Sequence, residues 1–413
     1  MRRPSMEHLA APLAAAARGV AARLKDAGQR AWIVGGAVRD LALGGEATDV
    51  DLTTAARPEQ VEACFARTAS VGRAFGTVLV LDFEVDVEVT TFRAESGYSD
   101  GRHPDRVSYS DTVEEDAQRR DFTCNALYLD PLTGEVADPA GGLRDLAERR
   151  LRCVGEPRER FREDGLRILR MARFAARLGL EVEQATRAAA AGALDALRGV
   201  SAERIYAELW AIAGGPNPAR ALGLLAEAGA LERCLAGWDP TGAEARIGAV
   251  ERLAPEAGAL VVLAALCGGE AAPLEALKAP RAVLDGVARL AELRRGVAEL
   301  PAEGRAPRLR LVRGAAWAGA LMLERAARGP WLARMEELER LRESLSEAEL
   351  HPAPLLASAD LAAASVPRGP RWGSLLREAE TRQLEGELRT RDEALAWLAA
   401  RAAQDGGNTR RSP

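Results

Sequence analysis

Two short stretches of this chain have residue types and spacing that suit phosphate chemistry. Gly35-Gly36-Ala37-Val38-Arg39-Asp40 follows a short apolar run, and Asp49-Val50-Asp51 comes soon after it. Two glycines after a strand let backbone amides approach an anion closely, and the helix that starts there points its N-terminus at it. Arg39 would add a planar, permanently charged fork. Asp49 and Asp51, two apart on a strand, point to one face. Paired carboxylates of this kind suit Mg²⁺, which keeps several waters and shares the rest of its shell with phosphates. A lone Gly-Gly turn or a lone Asp-x-Asp is common, so it is their combination and order that carry the signal. Glu88 and Asp86 lie on one face of the next long strand. One of them, preferably Glu88, is a candidate third ligand; the alternative is an edge strand with a solvated face.

These groups need a sheet to position them. Ala31–Val34 and Val50–Thr53 read as strands, and Thr77–Asp82 with Glu84–Phe92 as a hairpin. Cys124–Leu129 is a further strand, and Pro58–Arg67 is a helix with a proline start. Beyond about residue 156 the pattern becomes alanine- and leucine-rich helices. Gly/Pro breaks separate them at 214–218, 238–241, 268–273, 301–307 and 351–354. No strand pattern and no fixed-period repeat is expected there. The class is α+β, a small mixed-sheet head followed by an elongated all-α remainder. Residues 405–413 read as a disordered end.

Composition sets broad limits. A length of 413 residues with 47% hydrophobic content allows several cores. No apolar run reaches the ~20 residues of a membrane span. The first 22 residues read as an exposed helix rather than a signal peptide. Five scattered cysteines without a CxxC pair argue against a disulfide scaffold or zinc site and fit a reducing cytosol. A net charge of −5 does not mark a nucleic-acid binder, although local patches can still serve.

Asp164 and Arg167 stand three apart in a helical pattern, which puts them on one face. Taken alone, that spacing is an ordinary surface ion pair. Its chemistry also allows more. A carboxylate only accepts and a guanidinium only donates, which matches the amine and ring nitrogen of cytosine or adenine and opposes uracil and guanine.

The first motif, with Asp49-Val50-Asp51, resembles the signature of class II tRNA nucleotidyltransferases and the related bacterial poly(A) polymerases, of the polymerase-β-like superfamily. Arg119-Arg120-Asp121-Phe122-Thr123-Cys124-Asn125-Ala126 is similar to that family's ribose-recognition motif, and Asp138–Leu146 to its hinge. Arg162-Glu163-Asp164-Gly165-Leu166-Arg167 is similar to its base-selecting motif, and Val200–Ile205 with Glu208 to the motif closing its neck. Five motifs in family order span roughly residues 30 to 210.

The resemblance implies a head (1–155), a base-recognising neck (156–215), a body (216–300) and a tRNA-binding tail (301–413). It implies catalysis at Asp49, Asp51 and Glu88 with Mg²⁺, and phosphate or ribose contacts at Gly35, Gly36, Arg39, Arg120, Asp121 and Asn125. Asp121 would accept from the ribose 2′-hydroxyl. Glu163, Asp164 and Arg167 would read the base. CTP, ATP and the tRNA acceptor end are the implied partners, in the cytoplasm and without a membrane. The segment from Arg93 to Val107, with Arg102 and His103, resembles the flexible loop of complete CCA-adding enzymes. Addition of only A or only CC, and poly(A) synthesis, are the other readings within the family. A catalytically inactive RNA-binding scaffold is the reading outside it.

Overall fold

The computed structural model describes residues 2–69, 76–96 and 106–408. It divides into two compact units, Met1–Ile247 with Ala272–Ala279, and Gly248–Ala271 with Pro280–Pro413.

The first unit is built on a mixed sheet. Its strands are β1 (Ala31–Val34), β2 (Asp51–Thr54), β3 (Thr68–Ala69), β4 (Thr77–Val80) and β5 (Val87–Thr91). A separate ribbon of β6 (Arg93–Ser96) and β7 (Arg106–Tyr109) follows, and then β8 (Tyr128–Leu129) and β9 (Val136–Ala137). Among the described residues the sheet order is β3-β4-β5-β2-β1-β8-β9. Most neighbours are antiparallel, but β2 and β5 run parallel, with Asp51 opposite Glu88 and Leu52 opposite Val89. The expected hairpin forms as the β4–β5 pair. β1 is buried along its whole length, with Ile33 and Leu52 fully inaccessible beside it.

The helices of this unit include α1 (Ala11–Asp26), α2 (Gly36–Leu43), α3 (Pro58–Ala63), α4 (Val113–Gln118) and α5 (Gly142–Ala147). They continue with α6 (Pro157–Glu163), α7 (Leu166–Leu178), α8 (Gln184–Ala191), α9 (Ala202–Ala213) and α10 (Pro218–Ala228). α1 is not the exposed helix expected of the N-terminus. Leu13, Ala17, Val20, Ala21 and Leu24 form an i, i+4, i+7 stripe that is buried, and Gly19 faces the ring of Phe83.

Three further expectations need correcting. Cys124–Leu129 is not one strand: Thr123–Asn125 form a 3₁₀ turn and only Tyr128–Leu129 pair with β1. That turn is held by buried side chains, Thr123 on Asp145 and Asn125 on Asp121. A strand does form past residue 156, where β11 (Glu181–Val182) runs parallel to β10 (Arg150–Leu151). It is two residues long, too short for an alternating pattern to reveal. The last helix, Arg391–Asn408, continues through Asp405, where disorder was expected.

The second unit is helical. Leu361, Leu375, Ala394 and Leu398 belong to one of its cores. Glu324, fully buried, is neutralised by Arg294 at 2.7 Å and accepts from the amide of Trp331. Among the described residues no helix is long and apolar enough to cross a membrane.

A glycine fixes the approach of α5 to the turn below the sheet. A Cβ placed on Gly142 would lie 2.1 Å from the carbonyl oxygen of Thr123. Gly142→Ala is expected to lower stability by about 1–3 kcal/mol, read as the midpoint of urea unfolding. Gly223→Ala, on α10 with nothing within 4 Å of the added carbon, should instead gain up to about 1 kcal/mol. Equal midpoints for the two variants would refute the packing argument.

Candidate active site

The backbone ladder gathers the acids. Asp51 opens β2 and stands opposite Glu88 of the parallel strand β5. Asp49, Asp51 and Glu88 are exposed, whereas Val50, Leu52, Val87 and Val89 are buried. The three acids therefore share the outer face. Asp49 reaches it without being part of the ladder, since β2 starts only at Asp51. Asp86 also precedes its strand, so Glu88 is the acid in register with Asp51.

Crowding shifts the titration of Asp51 upward. Desolvation by the surrounding chain, then the charges of Glu88 and Asp49, push its carboxyl up to about 6, and Arg120 opposes them. A site with this surplus of negative charge fits a divalent cation. Among the described residues no three His, Cys, Asp or Glu side chains form a ready metal cluster. A cation bound by Asp49 and Asp51 would therefore complete its shell with water and phosphate oxygens.

The glycine turn lies at the adjacent end of β1, where Val34 pairs with Asp51. Gly35 has φ 74° and ψ −126°, a conformation that favours glycine. Its amide is spent on the carbonyl of Leu127 at 3.2 Å, so only one of the two glycine amides is available. α2 starts at Gly36, has no side-chain cap among the described residues, and leaves its first-turn amides without helical partners.

Arg39 does not present an open fork there. It is 3% exposed, donates through Nε to Asp40 at 2.8 Å and through Nη1 to Asn125 at 2.6 Å, and lies against the ring of Phe174. Its place beneath the turn follows from the helix: three positions after Gly36 it faces inward, where Asp40 offsets its charge and Asn125 accepts a hydrogen bond from it. The arginine that reaches the turn is Arg120, whose Nη1 is 3.7 Å from the Cβ position of Gly35. Arg120 is aimed by the fully buried Asp116 at 2.9 Å and by the Tyr128 hydroxyl. Burial opposes ionisation of Asp116, yet Arg120 and Arg119 hold its pKa below the usual range.

A chain of ion pairs runs on from Asn125. Asp121 accepts from the amide of Phe122 and from Asn125 Nδ2 on one oxygen, and from Arg170 Nε and Nη2 on the other, at 2.8 and 2.6 Å. Burial would raise its pKa, but Arg170 and these hydrogen bonds keep it at about 2. Arg170 lies 3.7 Å from Glu208 on α9, which accepts from Arg173 at 2.6 Å. Asp116 and Arg170 were not singled out from the sequence. The spacing of Arg167, Arg170, Arg173 and Arg177 along one helix was the available sign for Arg170.

The proposed base reader has another geometry than a shared helix face. α6 stops at Glu163, Asp164 is extended (φ −147°, ψ 104°), and α7 begins at Leu166. The break has a local cause: the Asp164 carboxylate accepts from the amide of Leu166 at 3.0 Å and competes with the helix. Asp164 is paired with Arg204 at 2.7 Å. Arg167 donates to Glu163 at 2.5 Å and to the carbonyls of Arg160 and Arg119. Asp164 and Arg167 thus each have a protein partner. Arg93 starts the β6–β7 ribbon, opposite Tyr109, so the expected loop is a ribbon at its ends. Arg102 and His103 lie outside the described residues. Cys124 is a core residue, its thiol pushed up to about 12 by burial.

Residues 31–152 match the poly A polymerase head domain, and residues 179–240 match a domain described as "Probable RNA and SrmB- binding site of polymerase A". A CCA-adding enzyme of Geobacillus stearothermophilus is 45% identical over 213 residues, 52% of each chain. In sequence, the chain thus spans about half the length of the curated relatives it matches. The crystal structure of the Bacillus stearothermophilus CCA-adding enzyme in complex with CTP is 32% identical. It superposes with a TM-score of 0.76 over 97% of this chain and 100% of that one. The Thermotoga maritima CCA-adding enzyme complexed with tRNA, 19% identical with a TM-score of 0.69, shares the fold over 95% of this chain.

The raised carboxyl of Asp51 predicts a pH-dependent stability. An acid whose pKa rises on folding holds its proton more tightly when folded, so ionising it costs stability as pH climbs from about 4 to above 6. Asp51→Asn removes that cost. The variant should melt higher than wild type at pH 8 and converge with it at pH 4. A divalent cation should raise the melting temperature of the wild type more than that of the variant. A variant that melts lower at pH 8 would contradict the crowding.

Proposed function

We propose that this chain, which belongs to the CCA-adding enzyme family of nucleotidyltransferases, adds CTP- and ATP-derived nucleotides to the 3′ end of tRNA without a template and releases pyrophosphate. The observation that carries the reading is the pairing of Asp51 with Glu88 beside the uncapped N-terminus of α2 and the guanidinium of Arg120. Acids for a cation and donors for phosphates meet at one sheet end, as phosphoryl transfer requires.

Asp49 and Asp51 would hold Mg²⁺, with Glu88 as a further acidic neighbour. Bound there, Mg²⁺ supplies charge neutralisation on the phosphates and a lowered pKa for the RNA 3′-hydroxyl. The amides of Gly36 and Ala37 and the guanidinium of Arg120 receive the triphosphate. Arg39 braces Asn125 and Asp40 behind the turn. Asp164 accepts the exocyclic amine of cytosine or adenine, and Arg167 donates to the ring nitrogen. Uracil and guanine present the opposite pattern and leave buried groups unpaired.

Residues 1–155 would act as the catalytic head and 156–215 as the base-recognising neck. Residues 216–300 and 301–413 would form the body and the tail that hold the acceptor end through its backbone and shape. The site of action is the cytoplasm. The β6–β7 ribbon lies where the segment resembling the loop of complete CCA-adding enzymes begins and ends, and it favours A-adding capacity over CC addition alone.

Incorporation with Mg²⁺ on tRNA transcripts lacking CCA, CA or only A tests the reading. Growth of all three to a defined CCA end is expected. Extension only of the transcript lacking A, arrest at CC, a long A tail, or no pyrophosphate at all would each point to a different enzyme or to a scaffold. Asp51→Ala should slow incorporation by about 10³-fold, since cation stabilisation of the transition state is worth several kcal/mol. Asp164→Ala should reduce the preference for CTP over UTP by about tenfold or more.

A further inference from the structure

The foot of β1, at the other end of that strand from Gly35, carries a cavity of about 350 Å³. That volume lies within the range of small-molecule sites. Ala21 of α1, Ala31 of β1 and Leu132 of the β8–β9 turn supply its apolar lining, and Lys25, Gln29 and Arg30 its polar lining. The walls are fixed before any ligand arrives. Asp130, 3% exposed, accepts from Arg30 Nε at 2.7 Å and from the amides of Leu132 and Thr133 at 2.8 and 3.0 Å. Arg30 also donates through Nη2 to Glu135 at 2.6 Å, and its Cζ lies 4.0 Å from the ring centroid of the buried Trp32.

What remains is a surplus of donors. Arg30 Nη1 and the ammonium of Lys25 have no hydrogen bond or ion pair among the described residues. Both groups only donate, so the missing partner is an acceptor. Amides of Ala27, Gly28 and Gln29 already occupy the carbonyls of Arg23, Leu24 and Lys25, so the last turn of α1 opposes an anion less than an uncapped one would. The acids nearby set the charge that fits. Asp130 and Glu135 together balance Arg30 and Lys25, so a dianionic phosphate would meet an excess of negative charge and a monoanion meets the least. A guanidinium already held over one ring favours a second flat ring beside it.

We propose that this cavity binds a small aromatic carboxylate, its carboxyl held by Lys25 and Arg30 Nη1 and its ring against Ala21, Ala31 and Leu132. The site shares no residue with the acids of β2 and β5 or with the glycine turn, and it stands independently of the nucleotide-transfer reading.

The probe is 2-naphthoate, titrated into the full chain by isothermal calorimetry. Saturable one-to-one binding with a Kd on the order of 0.1–1 mM is expected for a ligand of this size. Saturating CTP with Mg²⁺ should leave that Kd unchanged. Lys25→Met keeps the apolar stem and removes the charge, and it should weaken naphthoate by about tenfold or more. Leu132→Asp, which sets a like charge on the apolar lining, should weaken it at least as much. Both residues are exposed, so the variants should keep the melting temperature and the nucleotide incorporation of wild type. The uncharged 2-naphthalenemethanol should bind about tenfold more weakly than naphthoate, and the dianionic 2-naphthyl phosphate more weakly as well. Absence of saturable binding up to about 10 mM would overturn the inference. So would displacement by CTP, an unchanged Kd in both variants, or tighter binding of the alcohol or the phosphate than of naphthoate.

Discussion

Repulsion between carboxylates is the constraint that organises this end of the sheet. The parallel register of β2 and β5 leaves Asp51 and Glu88 no choice of neighbour, because side chains on paired strands share a face. Backbone hydrogen bonding, not attraction between side chains, holds them there. Arg120 is the positive group that offsets Asp51, and it does so from a fixed position because Asp116 and Tyr128 grip it from behind. The fold thus stores a local electrostatic deficit that a cation would relieve, and it builds the rest of the site from pairs that are already neutral.

Those pairs extend well beyond the acids. Asp40, Arg39, Asn125, Asp121, Arg170, Glu208 and Arg173 form one run from α2 to α9, hydrogen-bonded throughout except for the longer Arg170–Glu208 ion pair. Lysine would fit it poorly, since Arg39 and Arg170 each use the planar fork to reach two different residues. Buried ion pairs add little net stability, but removing one partner strands the other. The run therefore acts as a specification of geometry: the turn that carries Asp121 and Asn125 and the helix α7 have a single mutual placement that satisfies every charge.

What was legible in the sequence was local. The apolar run before Gly35, the Asp51 strand and the β4–β5 hairpin follow from composition and spacing over a few residues, and they appear with small shifts of boundary. The acids were found because their chemistry is unusual on a strand. What escaped was pairing at long range. Asn125, which Arg39 reaches beyond its neighbour Asp40, is 86 residues away, and Asp121, the partner of Arg170, is 49 residues away, so neither could be inferred from spacing. Arg39 reads as a phosphate ligand because its charge is visible in the sequence and its burial against Asn125 and Phe174 is not. The helix expected through Asp164 failed for a different reason: its own carboxylate competes for a backbone amide, an effect of one side chain that periodicity does not register.

A site whose charged groups are already paired binds by exchange. On the proposed base-reading, a nucleotide would gain little from touching Asp164 while Arg204 remains on it, or from touching Arg167 while Glu163 remains. Net affinity is the difference between the bonds made and the bonds given up, and that difference is small for the right partner and unfavourable for the wrong one. An incorrect base breaks the same internal pairs and replaces none of them, so its penalty includes the stranded protein groups as well as its own. Internal saturation therefore sharpens selectivity at the expense of affinity. On the proposed function, which has no template strand to consult, that exchange would be a physical substitute for one, because the protein's own ion pairs would be the standard against which each incoming base is compared.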